Sequence, residues 1–332
     1  MTRDGEGRNL PLILTMLIAA WAVLGWSDLV RQTQAGFVTN SYNEVIRIDP
    51  GSPAEAAGLK LGDQITHFDG VPVGNAAAIA HLPRKEAGDV MRLTVADDTG
   101  TRALGVPVAA LSPRQLRLEH TSTIVGFCFL LFPLTAFLRK PAEATRVLLV
   151  AGTGLSLAFI RGPQIPDFTI RTLTVAVSSL FVMVGVGALL HFLLVFPQRR
   201  PWLQRPHARK VLYAPVLLLW LLLAYRIVFT PVATEALNLL TNVMASLIIG
   251  AYLLLSLFRV LRNYSRTHQA QRKALKLNPM LLGTVLGLVP VTIAQLVFAF
   301  SPQATLPGQD FYFVTLAFIP LTWARSASRF RE

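Results

Sequence analysis

The chain is poor in cysteine and in charged residues, and each shortage excludes a class of protein. Cys128 is the only cysteine, so these 332 residues can form neither an internal disulfide nor a CxxC metal pair. Charged residues make up 15% of the chain, whereas soluble globular domains carry about 25%. Hydrophobic residues make up 53%, and the mean hydropathy is +0.50. This composition predicts a polytopic α-helical membrane protein.

Acidic residues are also scarce, with 18 Asp and Glu against 31 Lys and Arg, for a net charge of +13. A basic chain can bind nucleic acid, but the distribution of charge does not favour that here. Residues 34–110 contain nine acids and only six Lys or Arg, and the basic excess lies in short segments between apolar runs. This is the positive-inside pattern of membrane proteins. We therefore expect the lipid bilayer as a partner, and no nucleic acid.

Eight apolar runs predict about eight transmembrane helices. Roughly 20 apolar residues cross a bilayer, and they must be helical because lipid offers the backbone no hydrogen-bond partners. The runs lie near residues 10–29, 121–138, 145–160, 172–196, 211–229, 237–258, 279–300 and 311–323. The first run is open to a second interpretation as a cleaved signal peptide. We favour an uncleaved anchor because the run is long and no small-residue cleavage site follows it.

The short loops predict the orientation. Lys and Arg crowd alternate loops and the end of the chain, at residues 139–146, 199–210, 259–276 and 325–331, whereas residues 230–236 and 301–310 contain none. The basic side is cytoplasmic, so we expect a bacterial inner-membrane protein with both termini inside and residues 34–110 outside. The predicted parts are an N-terminal anchor (1–30), an extracytoplasmic domain (34–110), a seven-helix membrane domain (120–325) and a cytoplasmic tail (326–332).

Residues 34–110 break the apolar pattern and carry the turn signals of a small α+β domain. Pro53 favours the start of a short helix, and Gly58 suits the left-handed residue that ends one. Asp69-Gly70 is a strong hairpin signal. Alternating apolar residues predict strands at 44–49, 64–68, 90–96 and 102–108, and residues 75–82 a second helix.

The run GSPAEAAGLKLGDQI at residues 51–65, followed by Asp69-Gly70, resembles the bacterial PDZ family. The resemblance covers about a quarter of the chain. It implies a small barrel-like sandwich of strands and two helices. It also implies a groove between one strand and the helix at 75–82, where a peptide C-terminus binds as an added strand.

In that family a short x-hydrophobic-Gly-hydrophobic loop before the groove strand captures the peptide carboxylate with backbone N–H groups, and Gln34-Ala35-Gly36-Phe37 matches this spacing. The peptide-binding residues that the resemblance implies are Gln34, Ala35, Gly36, Phe37, Val38 and Ile79. The alternative is a PDZ fold that serves only as a rigid spacer or as a homodimer contact.

Two segments of the membrane portion, ALLHFLLVFP at 188–197 and FIPLTWAR at 318–325, resemble pieces of multi-span sensor modules in bacterial signalling proteins. An external PDZ domain after the first of eight spans resembles the N-terminal half of competence-pheromone receptor histidine kinases. These 332 residues contain no glycine-rich nucleotide loop, so we expect no kinase activity within them. The resemblance instead implies a separate cytoplasmic kinase as a partner.

Six polar residues are predicted near the outer face of the membrane domain, where they could line a cavity open to the outside: Arg161, Arg171, Arg226, Glu235, Asn238 and Asn242. The alternative is ordinary snorkelling and helix capping. His191, close to the cytoplasmic end of its span, is interpreted as reaching the interface or bonding a neighbouring helix.

The favoured function is a receptor-like signalling component that binds an extracytoplasmic peptide or protein C-terminus. A non-enzymatic adaptor in envelope quality control is the main alternative. An intramembrane zinc protease needs an HExxH pair, and none of the six histidines has that spacing. A transporter is remote because no clear internal repeat occurs. We predict no enzymatic activity, no catalytic residues, no cofactor and no metal.

Overall fold

The structure is a computed structural model, and it describes residues 6–39, 43–73, 82, 85–97, 100–198, 200–228, 235–300 and 309–330. Within these residues a long first helix leads into an α+β domain, which is followed by a bundle of apolar helices. The helix predicted at 75–82, and Ile79 with it, lies outside the described residues except for Leu82.

The described elements follow in chain order, and three short 3-10 segments lie among them. The strands are β1 (Thr33–Gln34), β2 (Phe37–Thr39), β3 (Val45–Ile48), β4 (Gln64–Phe68), β5 (Val71–Pro72), β6 (Val90–Asp97), β7 (Gly100–Pro107) and β8 (Ala109–Ala110). The helices are α1 (Glu6–Asp28), α2 (Pro53–Ala56), α3 (Pro113–Arg139), α4 (Glu143–Ser156), α5 (Phe168–Val195), α6 (Ala208–Val228), α7 (Glu235–Arg266), α8 (Gln269–Ala274), α9 (Leu277–Phe300) and α10 (Phe318–Ala327). The 3-10 segments are Leu29–Arg31, Pro201–Gln204 and Gln309–Ala317.

The α+β domain is built on an antiparallel sheet in the order β5-β4-β6-β7, with β2 paired to β3 and β1 paired to β8. Alternate residues of these strands face one side, because side chains in a strand point to opposite faces. Ile65, Val95 and Val106 are fully buried in the core that results. The β1–β8 pair holds the two ends of the domain together, so the chain enters from α1 and leaves into α3 at one place.

The predicted turns are confirmed. The Ser52 side chain caps α2 by accepting the Glu55 N–H at 3.3 Å, and Pro53 occupies the first turn. Gly58 has φ +81°, the left-handed conformation that ends a helix. Asp69 and Gly70 have φ 47° and 82° and connect β4 to β5 as a tight hairpin.

Among the residues that the structure describes, five helices are long and apolar enough to cross a membrane, which indicates a membrane protein. They are Leu10–Asp28, Pro113–Arg139, Phe168–Val195, Ala208–Val228 and Val243–Arg266, and they coincide with five of the eight predicted spans. α4 contains 14 residues, about 21 Å of helix, which is shorter than the roughly 30 Å hydrocarbon core. The last predicted span is a 3-10 segment followed by a ten-residue helix. The count of eight therefore stays a prediction, whereas five spans are supported.

Glycines allow α4 to pack tightly inside the bundle. A Cβ added to Gly154 would overlap the Phe181 carbonyl of α5, and one added to Gly185 would lie 2.8 Å from the Leu155 nitrogen. The two helix backbones are thus in contact at this crossing, as small residues permit in membrane helix pairs. On the other side, a Cβ at Gly152 would overlap the Phe129 carbonyl of α3. This short helix is therefore held between two long spans.

Aromatic and amide side chains pack together at the end of the bundle where α5 ends. Phe192 of α5 stacks on Trp323 of α10 with ring centroids 5.3 Å apart, and the Trp323 indole donates to Thr284 at 2.8 Å. Asn263 of α7 donates to the carbonyls of Leu193 and Phe196 at 3.0 and 2.9 Å. The two segments that resemble sensor modules therefore meet in space. His191 belongs to the first of these segments, and its Nδ1 lies 3.2 Å from the Tyr213 hydroxyl of α6.

Candidate peptide-binding site and membrane cavities

The loop predicted to capture a carboxylate is shaped by Gly36 and held by the start of α2. Gly36 has φ +84°, and a Cβ there would overlap the Cβ of Ser52 and lie 2.8 Å from its Oγ. The Ala35 carbonyl accepts the Ala54 N–H at 3.0 Å, and the Gly36 carbonyl accepts the Asp49 N–H at 2.8 Å. Only glycine fits this position without strain or overlap. The loop is thereby fixed against the segment that carries the PDZ-like motif.

The strand after this loop has an open edge. Phe37 pairs with Ile48, and the Asp49-to-Gly36 hydrogen bond flanks that pair. In an antiparallel ladder this arrangement marks a non-hydrogen-bonded pair, so the N–H and C=O of Phe37 point away from β3. Within the described part of the chain β2 pairs with β3 alone. Its outer edge can therefore accept an additional strand.

Some side chains of the predicted site pack against the domain core, and others are exposed to solvent. Ala35 and Phe37 pack against the domain core, whereas Val38 is 38% exposed. Gln34 lies in β1, and its buried Oε1 has no hydrogen-bond donor among the described residues. Gln34 to Val38 thus form one continuous loop and strand, and the proposed contribution of Ile79 falls outside the described residues.

The residues that hold the loop in place were not predicted from the sequence. Asp49 bonds the loop through its N–H, and its Oδ2 accepts the Gln115 side-chain amide at 3.0 Å. Gln115 lies in the first turn of α3, which continues as a candidate span. Asp49 therefore contacts both the loop and this helix. No local signal marks that contact, since its two partners are 66 positions apart.

The arginines predicted to line an outer cavity lie in different places. Arg171, in the first turn of α5, lines a cavity of about 560 Å³ beside α1. Arg161 lines a separate cavity of about 460 Å³, where it forms an ion pair with Glu119 at 2.8 Å. Arg226, near the end of α6, lines neither of these two. The side chains of the other three predicted residues are outside the described part of the structure: Glu235, Asn238 and Asn242.

Two of the basic segments predicted to be cytoplasmic come close together at the end of α10. The positive charges of Arg325 and Arg329 lower the pKa of the Lys276 amine below its usual value. The Ser326 hydroxyl donates to the Lys276 carbonyl at 3.1 Å, which joins α10 to the turn before α9. Across the described ranges no group of three or more His, Cys, Asp or Glu side chains is placed to hold a metal ion.

Comparison with known proteins supports one part of this arrangement. Residues 44–97 match the family model of the PDZ domain, so the chain contains a PDZ domain there. PDZ domains bind peptide C-termini or proteins, so the match suggests a protein or peptide interaction for this part of the chain. No curated protein and no solved structure matches the chain. The comparisons add no support for the resemblance to receptor histidine kinases.

Proposed function

We propose that this chain is a receptor-like signalling component of the bacterial inner membrane. Its PDZ domain binds an extracytoplasmic peptide or protein C-terminus, and its helices transmit the binding event to a separate cytoplasmic partner. The observation that carries the proposal is the loop at Gly36, which precedes the open edge of β2 and is linked through Asp49 to Gln115 of α3. In this proposal the chain has no catalytic activity of its own.

Binding by strand addition accounts for the geometry of the site. A peptide paired to the outer edge of β2 would bond the N–H and C=O of Phe37, and its terminal carboxylate would lie at the loop around Gly36. Carboxylate capture by backbone N–H groups is a recurring mode of recognition. The loop has little freedom to adapt, because its two carbonyls already accept hydrogen bonds from Asp49 and Ala54.

Transmission begins at Asp49 in this proposal. A bound peptide shifts the loop and Asp49 together, because they are hydrogen-bonded to each other, and this shift alters the Asp49–Gln115 contact and with it the first turn of α3. This helix packs against α4 and α10 further along the bundle. α10 carries Arg325 beside the basic turn at Lys276. A cytoplasmic kinase that recognises this basic surface is the proposed partner.

The orientation is the first part to test. Reporter fusions after Arg139 and within the PDZ domain are expected to report opposite sides, with the PDZ domain outside and both termini in the cytoplasm. A PDZ domain found in the cytoplasm would refute the receptor proposal, because the peptide ligand would then be intracellular.

Peptide binding is tested with the full-length protein in lipid nanodiscs. A library of peptides with free C-terminal carboxylates is screened by fluorescence anisotropy, and each hit is repeated with its C-terminus amidated. We expect amidation to weaken binding about tenfold or more, since a charge-assisted hydrogen bond contributes about 1.5–3 kcal/mol. Equal binding of both forms would contradict carboxylate capture.

The response of the helices to peptide binding distinguishes a receptor from an adaptor. In a receptor, peptide binding changes hydrogen exchange in α3 and α10, and Gln115→Leu removes this change while leaving peptide affinity intact. In an adaptor, the peptide binds with no change in the helices. The PDZ domain alone is compatible with both outcomes, so this measurement decides between them.

A further inference from the structure

A polar cavity of about 430 Å³ lies where α7 ends and the chain turns through α8 into α9. This volume is within the range of small-molecule sites in proteins. The lining includes three cations, Arg266, Arg272 and Lys273, and none of its nine residues is acidic. We call this feature the α7–α9 cavity. Its charge predicts an anionic occupant, provided that the three cations are not already paired.

Arg272 is held in one orientation by neutral groups. Its Nε and Nη2 donate to the carbonyls of Thr267 and Ser265 at 2.6 and 2.9 Å. Its guanidinium also lies over the Tyr264 ring, 4.5 Å from the centroid. A guanidinium has five N–H groups, so three of them have no acceptor among the described residues. These remaining donors have the fork geometry that suits phosphate oxygens.

The positive charges of the α7–α9 cavity are not paired within the described part of the chain. Arg266 and Lys273 are exposed, and neither side chain forms an ion pair or a hydrogen bond with another described residue. The sequence contains no Asp or Glu between residues 236 and 309. Close by, the pKa of the Lys276 amine is lowered because neighbouring arginines repel its positive charge. An anion bound among these cations would relieve the same kind of repulsion.

The α7–α9 cavity lies at the end of a candidate membrane span, Val243–Arg266, and exposed apolar residues lead up to it on both helices. On α7, Leu261 is 47% exposed and lies one turn before Ser265, which lines the cavity. On α9, Leu282 is 59% exposed and lies one turn after Asn278, which also lines it. Residues four apart share one face of a helix, so both polar walls continue into apolar faces. The occupant that fits has an anionic end and an apolar remainder.

We propose that the α7–α9 cavity binds the phosphate headgroup of an anionic phospholipid of the surrounding bilayer. The phosphate accepts the remaining N–H groups of Arg272, near Arg266 and Lys273, and the acyl chains follow the exposed faces of α7 and α9. A headgroup with net negative charge is selected because the formal charges of the lining are all positive. The site is separate from the PDZ domain and does not depend on the proposed receptor function.

Native mass spectrometry of the full-length protein tests the site. The protein is exchanged into detergent with equal amounts of phosphatidylglycerol and phosphatidylcholine of the same chain length, and retained lipid is counted. We expect phosphatidylglycerol to be retained about tenfold more, as one charge-assisted contact implies. Arg266→Gln and Lys273→Gln together are expected to abolish this preference. Arg139→Gln and Lys140→Gln together, at the end of α3, change the net charge equally and are expected to preserve it.

A second pair of variants changes the shape of the cavity without changing its charge. Ser265→Phe places a ring in the cavity and is expected to remove the retained phosphatidylglycerol. Ser328→Phe, outside the cavity, is the matched control, because each of the two hydroxyls donates to the carbonyl three residues earlier at 3.1 Å. Size-exclusion profiles establish that each variant is folded. Equal retention of the two lipids, or a preference that survives the Arg266 and Lys273 replacements or falls equally with those at Arg139 and Lys140, would overturn the proposal.

Competition identifies the source of the phosphate. Glycerol 3-phosphate carries the phosphate without acyl chains, and it is added in tenfold excess over phosphatidylglycerol. We expect the retained lipid to stay unchanged, because the acyl chains contribute to binding along α7 and α9. Displacement of the lipid by glycerol 3-phosphate would identify a soluble phosphate ester as the occupant and would also overturn the proposal.

Discussion

Replacement of Gly36 by alanine tests the architecture of the peptide-binding loop. Two costs arise, because alanine at φ +84° costs about 1 kcal/mol and overlap with Ser52 costs about 1–3 kcal/mol. We therefore expect the PDZ domain to lose about 3 kcal/mol of stability. Hydrogen exchange of the β6–β7 amides in the full-length protein should accelerate about a hundredfold, since each 1.4 kcal/mol is a factor of ten.

The Ser52→Gly background separates the two costs. Glycine at this position removes the side chain that a Cβ at 36 would strike, and as a helix cap it costs only a few tenths of a kcal/mol. In that background Gly36→Ala should cost about 1 kcal/mol, with exchange only about fivefold faster. If Gly36→Ala has the same effect in both backgrounds, the contact with Ser52 is not what excludes a side chain from the loop.

Two further perturbations test the membrane bundle and its basic end. Gly185→Ala should lower the melting temperature in detergent, because its Cβ would press on the α4 backbone; Gly250→Ala, where a Cβ meets nothing within 4 Å, should leave it unchanged or raise it. Equal effects of these two variants would argue against the close helix crossing. Arg329→Gln should raise the pKa of Lys276, because one of the positive charges that lowers it is removed. Acylation of the Lys276 amine near pH 9, followed by mass spectrometry, should then be slower, while Arg329→Lys should preserve the wild-type rate.

The turns of the PDZ domain were predictable because their causes are local. Ser52 and Pro53 start α2 through a side-chain cap and a fixed φ. Gly58 and the Asp69-Gly70 pair occupy positive φ, which a sequence signals by its residue types. Five spans were predictable for a similar reason, since length and apolar content suffice to indicate them.

The contacts between distant segments were not predictable in this way. Asp49 and Gln115 are polar residues in unremarkable settings, and only the fold brings them to 3.0 Å. Arg161 and Arg171 are ten positions apart, and the sequence suggested one shared cavity for them. The loop that joins α4 to α5 instead packs Gly162 against Trp21, so the two arginines line different cavities. Helix packing, which periodicity does not encode, decides such placements.

The two ends of α3 connect the PDZ domain to the far end of the helical bundle. At its first turn Gln115 contacts Asp49, and near its far end the buried Ala136 belongs to the same apolar core as Trp323 of α10. Close-packed interiors transmit a displacement rather than absorb it. In the proposed mechanism, a shift at Asp49 would be felt at the Phe192–Trp323 stack. Residues 188–197 and 318–325 meet at this stack. A Trp323→Leu variant should therefore keep peptide binding and lose any peptide-dependent change in α10, and its retention of that change would separate the PDZ domain from the helices it is proposed to control.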